Sequence, residues 1–232
     1  MKKAITILLI AALMLSLAAC GGNNAKSKEQ AAFDNAQKAY DALCDAADET
    51  ISIMNSVYGA WYFGIYKLSD YKTSKSAGKL SGFAKETGLS ELTIKNAINE
   101  YYVNYFKILS GDTEEFKELD KETMDILVDS HIYGIEDFNG CLELVYLVFE
   151  AEGITNNLNE NLTIAKDTLK IMTNDFDDYK HYPTLKDFYS KVSSYAEFAQ
   201  SPSGSFQQLK DTINDYENSI RTYRTDLSFV FD

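Results

Sequence analysis

Proline is nearly absent from this chain, with two residues in 232, Pro183 and Pro202. Scarce proline argues against a loop-rich β fold and leaves long stretches free to stay helical. Cysteine is also scarce, at three, with no C-x-x-C, so neither a disulfide scaffold nor a redox motif is written here. Histidine numbers two, His131 and His181, far apart and each near an expected helix end. A lone histidine there reads as a cap or a surface residue rather than a ligand or base. H-E-x-x-H, G-x-S-x-G, G-x-G-x-x-G and G-x-x-x-x-G-K-[ST] are all missing. No metal, cofactor or catalytic residue is therefore expected, and the chain does not read as an enzyme. Basic residues are outnumbered, 22 against 35 acidic, a net charge of −13. Such a body repels polyanions, so nucleic acid is excluded as a partner.

Long apolar runs are confined to the N-terminus. Met1-Lys2-Lys3 precedes an apolar segment from Ala4 to Ala19, which ends in Leu17-Ala18-Ala19-Cys20. A positive start, an apolar centre and small residues before a cleavage point make a secretory signal, and the run is short for a membrane span. Leu17-Ala18-Ala19-Cys20 resembles the lipobox of bacterial lipoproteins. That resemblance covers the first twenty or so residues. It implies a diacylglyceryl group on the Cys20 sulfur, cleavage before Cys20, and tethering to the extracytoplasmic face of a cell membrane. Two acyl chains hold a protein there durably. Gly21 does not decide between the membrane of a single-membrane cell and an outer membrane. Without Lys2 and Lys3 the net charge of the mature chain moves from −13 to about −15. Residues 1–19 are thus expected as leader, 20–30 as lipidated cysteine and flexible tether, and 31–232 as one domain.

What remains is periodic. From Ser27 to Leu68, one row of Phe33, Tyr40, Ala47, Met54, Trp61 and Leu68 recurs every seven residues, beside a second of Cys44, Ile51, Tyr58 and Ile65. Two such rows make the seam of an antiparallel bundle. Residues 69–81 read as a loop. Gly82 to Leu109 reads as two helices, with Gly88 ending the first, Ser90 capping the second, and Ile94, Ile98, Tyr101, Tyr105 and Ile108 as a buried stripe. A capping box at Asp112 to Glu115 opens the next helix, with Phe116, Leu119, Thr123 and Leu127 inward. With the apolar run Cys141–Phe149 it gives a second long element near 113–152, which Gly134 and Gly140 could interrupt. The run should pack against the Trp61 region. Further stripes follow at Ile154–Tyr179, Leu185–Ala199 and Phe206–Val230, parted by Gly153, Pro183 and Ser201–Gly204. The expected fold is all-α: an elongated, mostly antiparallel bundle of about six helices.

Within that body, Gly82–Ile98 resembles the helix-turn-helix of bacterial repressors at Ala84, Gly88, Leu89, Ser90 and Thr93-Ile94. The recognition position carries Glu91 and a single lysine, so the resemblance implies a helical corner and not DNA binding. Asp175-Phe176-Asp177-Asp178 has a trace of calcium spacing, but Lys180 and Lys186 stand where such a loop needs glycine and glutamate. The acid pairs Asp45/Glu49 and Asp125/Asp129 share helix faces and read as solvated surface. Cys44 and Cys141 lie in helical patterns and are either buried thiols or a disulfide joining helices. Tyr58-Gly59-Ala60-Trp61-Tyr62-Phe63-Gly64-Ile65-Tyr66 is apolar or aromatic all round. It is either core or a recognition patch, with Tyr58, Trp61, Tyr62 and Tyr66 as the ligand-binding candidates. Two roles remain: a non-enzymatic surface lipoprotein that binds a protein partner or supports the envelope, and a small-ligand sensor or transport accessory using Tyr58–Tyr66.

Overall fold

A computed structural model describes residues 24–71, 75–109 and 120–231. Cys20 with its leader, residues 20–23 of the expected tether, the Asp112–Glu115 box, Phe116 and Leu119 lie outside the described residues. Those described form eight α-helices and no strand: α1 Asn24–Tyr62, α2 Ser76–Thr87, α3 Glu91–Leu109, α4 Lys121–Tyr133, α5 Phe138–Ala151, α6 Ile154–Asp175, α7 Tyr182–Gln200 and α8 Phe206–Phe231. The all-α bundle is as expected. α1 already begins at Asn24, so the described part of the stretch expected as tether is helical.

α1 is the axis of the body. Its 39 residues extend about 58 Å at 1.5 Å per residue. It packs against α2, α5, α6, α7 and α8. The row from Tyr40 to Leu68 is buried, but the second row is not the one expected. Cys44, Ile51 and Tyr58 are half-buried and Ile65 is exposed. The fully buried rows are instead Ala36, Leu43, Thr50 and Val57, with Ala39, Ala46, Ile53 and Ala60. A helix touched from several sides needs a wide buried face, and alanines supply it by letting neighbours approach closely. Thr50 fits there because its hydroxyl donates to the Ala46 carbonyl at 2.7 Å.

α6, α7 and α8 are joined by short turns and alternate in direction. Phe206 at the start of α8 stacks on Tyr58, while Phe231 at its end stacks on Tyr40, so α8 runs antiparallel to α1 along most of its length. Midway, Arg224 donates to the Cys44 carbonyl and pairs with Asp48 at 2.7 Å. Tyr195 on Tyr216 and Phe188 on Tyr223 set α7 antiparallel to α8. The three C-terminal stripes point inward as read: Leu158, Leu185, Phe188, Val192, Ala199 and Leu209 are all fully buried. Pro183 lies in the first turn of α7.

The other helices gather at the far end of α1, where the chain leaves α-geometry for a π segment, Phe63–Lys67, and a short 3₁₀ turn, Leu68–Tyr71. Two glycines make room there. A Cβ on Gly59 would stand 2.0 Å from the Glu86 carbonyl oxygen, and one on Gly64 would stand 2.9 Å from the Phe138 Cα. The end of α2 and the start of α5 thus press backbone-close on this junction. α2 begins at Ser76, inside the stretch expected as a loop, and buries Lys79 and Leu80. The corner between α2 and α3 forms as read: Gly88 takes φ +71° and Ser90 Oγ accepts from the Thr93 N–H at 3.0 Å.

The described residues of the element expected near 113–152 form two helices, α4 and α5, parted at Gly134–Asp137. Asp137 caps α5 by accepting from the Gly140 N–H at 2.9 Å. From α2, Lys79 Nζ donates to the carbonyls of Tyr133 (2.8 Å) and Ile135 (2.9 Å), groups a continuous helix would have satisfied itself. The split adds one helix to those expected, and the described residues form eight where about six were expected. α5 packs as expected near the Trp61 region, with Phe138 4.8 Å from the Trp61 ring.

Candidate functional site

The four ligand-binding candidates of the Tyr58–Tyr66 stretch separate onto two sides of the helix. Trp61 is 6 % exposed and lies against Phe138 in the core. Tyr58, Tyr62 and Tyr66 sit one turn apart on another face and surround Phe206, with ring centroids 4.9, 6.1 and 5.4 Å away. Lys67 adds its ammonium 5.9 Å from the Tyr62 ring. Tyr66 and Ile65 reach solvent on the π segment. Trp61 therefore does not share a surface with the tyrosines, and the four line none of the clefts described below.

Cys44 and Cys141 are both free, which corrects the disulfide alternative. Cys44 belongs with Tyr40, Asp48 and Arg224. Cys141 lies one turn beyond Phe138, the partner of Trp61, and has Lys79 and Asp137 nearby. Cys44 and Trp61 are 17 positions apart on α1, about 25 Å along the axis, far beyond the roughly 7 Å that a disulfide spans between Cα atoms. Burial pushes the Cys141 thiol up to about 12, and burial raises Cys44 as well, so both are poor nucleophiles.

His131 lies on α4 between helices. Its ring meets Tyr101 and Tyr102 edge-on, and Nδ1 is 3.4 Å from the Tyr102 hydroxyl. Burial holds the imidazole below its ordinary value, against the raising effect of Glu143. His181 meets Tyr179 and Phe231 edge-on at the opposite end of the body. Among the described residues, no three of His, Cys, Asp and Glu stand together as a metal group.

Several clefts among the described residues combine concavity with polar groups, and three lie along α2, α3, α5 and their neighbours. One, about 330 Å³, lies between α5, α6 and α7 and holds Tyr146, Glu150, Thr155, Asn156 and Gln200. The Tyr146 hydroxyl is committed there, donating to the Ala199 carbonyl at 2.9 Å, and burial pushes it up to about 12. A second, about 310 Å³, opens beside Lys79, Tyr133 and Glu136. Lys79 is likewise committed to two carbonyls, and its ammonium lies 5.3 Å from the Tyr133 ring.

The third cleft, about 290 Å³, runs between α3 and α5 and was not foreseen. By spacing alone Tyr101, Tyr105 and Ile108 end a buried stripe. Ile94, Ala97 and Ile98 are buried, but Tyr101 and Tyr105 are 43 % and 46 % exposed and Ile108 more so. The stripe is continuous in sequence while its cover is not. The two tyrosine rings are nearly parallel, 17° apart with centroids 6.2 Å apart. Glu100 and Asn104 accompany them on α3, and Leu147, Glu150 and Ala151 form the opposite wall on α5. The composition of the stripe carries no sign of this; exposure depends on which helices stop short of it.

No protein-family model, curated protein or solved structure matches the chain.

Proposed function

We propose that the chain is a bacterial lipoprotein, anchored to the extracytoplasmic face of a cell membrane through lipid on Cys20, whose helical body is a non-catalytic binding or envelope-supporting module. The observation that carries this is Lys2-Lys3, the apolar run to Ala19, and Leu17-Ala18-Ala19-Cys20. Among the described residues no helix is long and apolar enough to cross a membrane, so a tether gives the body a means of staying at one. The burial of Trp61 against Phe138 and the commitment of Tyr146 and Lys79 to backbone carbonyls support a body built for packing and contact rather than chemistry. A receptor centred on Tyr58, Trp61, Tyr62 and Tyr66 has less support, because Trp61 faces the core and the tyrosines pack on Phe206. The outer faces of Ile65 and Tyr66 are what remains for that role.

The test is expression in a lipoprotein-processing bacterium with a labelled fatty acid. The mature chain should begin at Cys20, carry the label and partition with membranes. Cys20→Ala should lose the label and either accumulate as precursor or leave the membrane fraction. A mature N-terminus elsewhere, or label retained in Cys20→Ala, would overturn the assignment.

A further inference from the structure

The α3–α5 cleft has a composition that selects a ligand class. Its aromatic wall is two half-exposed tyrosines whose rings lie nearly parallel, and its charged groups are two glutamates, Glu100 and Glu150. No lysine or arginine is among its lining residues. His131, edge-on to Tyr101, is held toward its neutral form by burial and brings no opposing charge at neutral pH. The negative faces of aromatic rings attract cations, and carboxylates beside them add Coulomb attraction. An anion would meet two carboxylates on a chain of net charge −13. A purely apolar ligand would gain nothing from them. At about 290 Å³ the cleft suits one small molecule rather than a protein segment.

We propose that the α3–α5 cleft binds a small organic cation of about choline size, a quaternary or protonated alkylammonium, with Tyr101 and Tyr105 facing the cationic head and Glu100 and Glu150 balancing its charge. Ile108, Leu147 and Ala151 would contact the alkyl part, and Asn104 would offer a hydrogen bond to a polar tail. The assignment goes beyond the lipoprotein reading and does not depend on it.

The test uses the full chain, extracted in a non-ionic detergent and titrated calorimetrically with choline, its neutral isostere 3,3-dimethyl-1-butanol, and glucose. Choline should bind with a Kd of about 1 mM or tighter. Neither neutral compound should match it. Tyr101→Ala and Tyr105→Ala should each weaken choline binding by about fivefold, the size of a half-exposed cation–π contact. Phenylalanine at either position should retain most of the affinity, since the ring face persists. Glu150→Gln should weaken choline binding, and Tyr58→Phe, in another part of the body, should leave it unchanged. Absence of choline binding at 10 mM would overturn the proposal, as would equal binding of the isostere or of glucose. Equal loss in the phenylalanine and alanine variants would overturn the ring-face assignment even if both fold.

Discussion

The two halves of the body use the same residue types to different depths. In the half made by α1, α6, α7 and α8, facing stripes run the length of each helix, and Phe188, Val192 and Tyr195 are wholly buried. In the half made by α2, α3, α4 and α5, α5 is buried along its length, from Cys141 to Phe149, and the closest backbone approaches fall at helix ends: the end of α2 on Gly59 and the start of α5 on Gly64, with Lys79 bridging to the α4–α5 break. α3 is covered in part, with its first half buried and its second half exposing Tyr101, Tyr105, Ile108 and Leu109. Apolar periodicity alone does not tell a stripe that meets a neighbour from one that outruns it. The second half also contributes the half-exposed tyrosines of the α3–α5 cleft.

Substitutions can break or sharpen that contrast. Phe188→Ala, in the first half, should cost about 3–5 kcal/mol in urea unfolding, because a fully buried ring leaves a cavity between α7 and α8. Gly59→Ala tests the join between halves. Its Cβ would collide with backbone rather than a movable side chain, and about 3 kcal/mol should be lost as α2 is pushed away. Lys79→Met removes the donor for the Tyr133 and Ile135 carbonyls, and about 1–3 kcal/mol should follow, with the loss of order centred on α4. Tyr105→Ala, in the exposed part of α3, should change stability by about 0.5 kcal/mol or less. Near-equal costs for Phe188→Ala and Tyr105→Ala would erase the contrast.

A smaller effect concerns pH. Burial holds His131 below its ordinary 6.5 in the folded chain, so the unfolded chain binds the proton first as pH falls. Stability should therefore decrease as pH drops below about 6.5, and the dependence should end below the folded value. Tyr101 and Tyr102 face His131 from α3, and Glu143 from α5 opposes the shift. His131→Gln should flatten this part of the urea-midpoint profile against pH.

Much of the fold was legible because its signals are local. The stripes of α6, α7 and α8 have one covered face each, and Gly88, Ser90, Gly153 and Pro183 mark ends through their own backbone preferences. What escaped depends on distant partners. The α4–α5 break is held by Lys79 from α2, more than fifty positions away. The second buried row of α1 shifted by one position, from Cys44, Ile51 and Tyr58 to Leu43, Thr50 and Val57, because several helices, not one, press on it. Trp61 and the tyrosines read as one patch from spacing alone, yet Phe138 takes the first and Phe206 the others. The cleft at Tyr101 and Tyr105 was hidden for the same reason: its exposure is set by where α4 and α5 lie, not by its own composition.

Native-state hydrogen exchange tests the two-depth account most directly, since amide protection reports local opening free energy along the chain. Amides of α7 and of α1 between Ala36 and Ala60 should exchange only through global unfolding, with one common free energy and denaturant dependence. Amides of α3 from Tyr101 to Leu109 should exchange through local openings of much lower free energy, nearly independent of denaturant. Equal protection of α3 and α7, with the same denaturant dependence, would contradict the account.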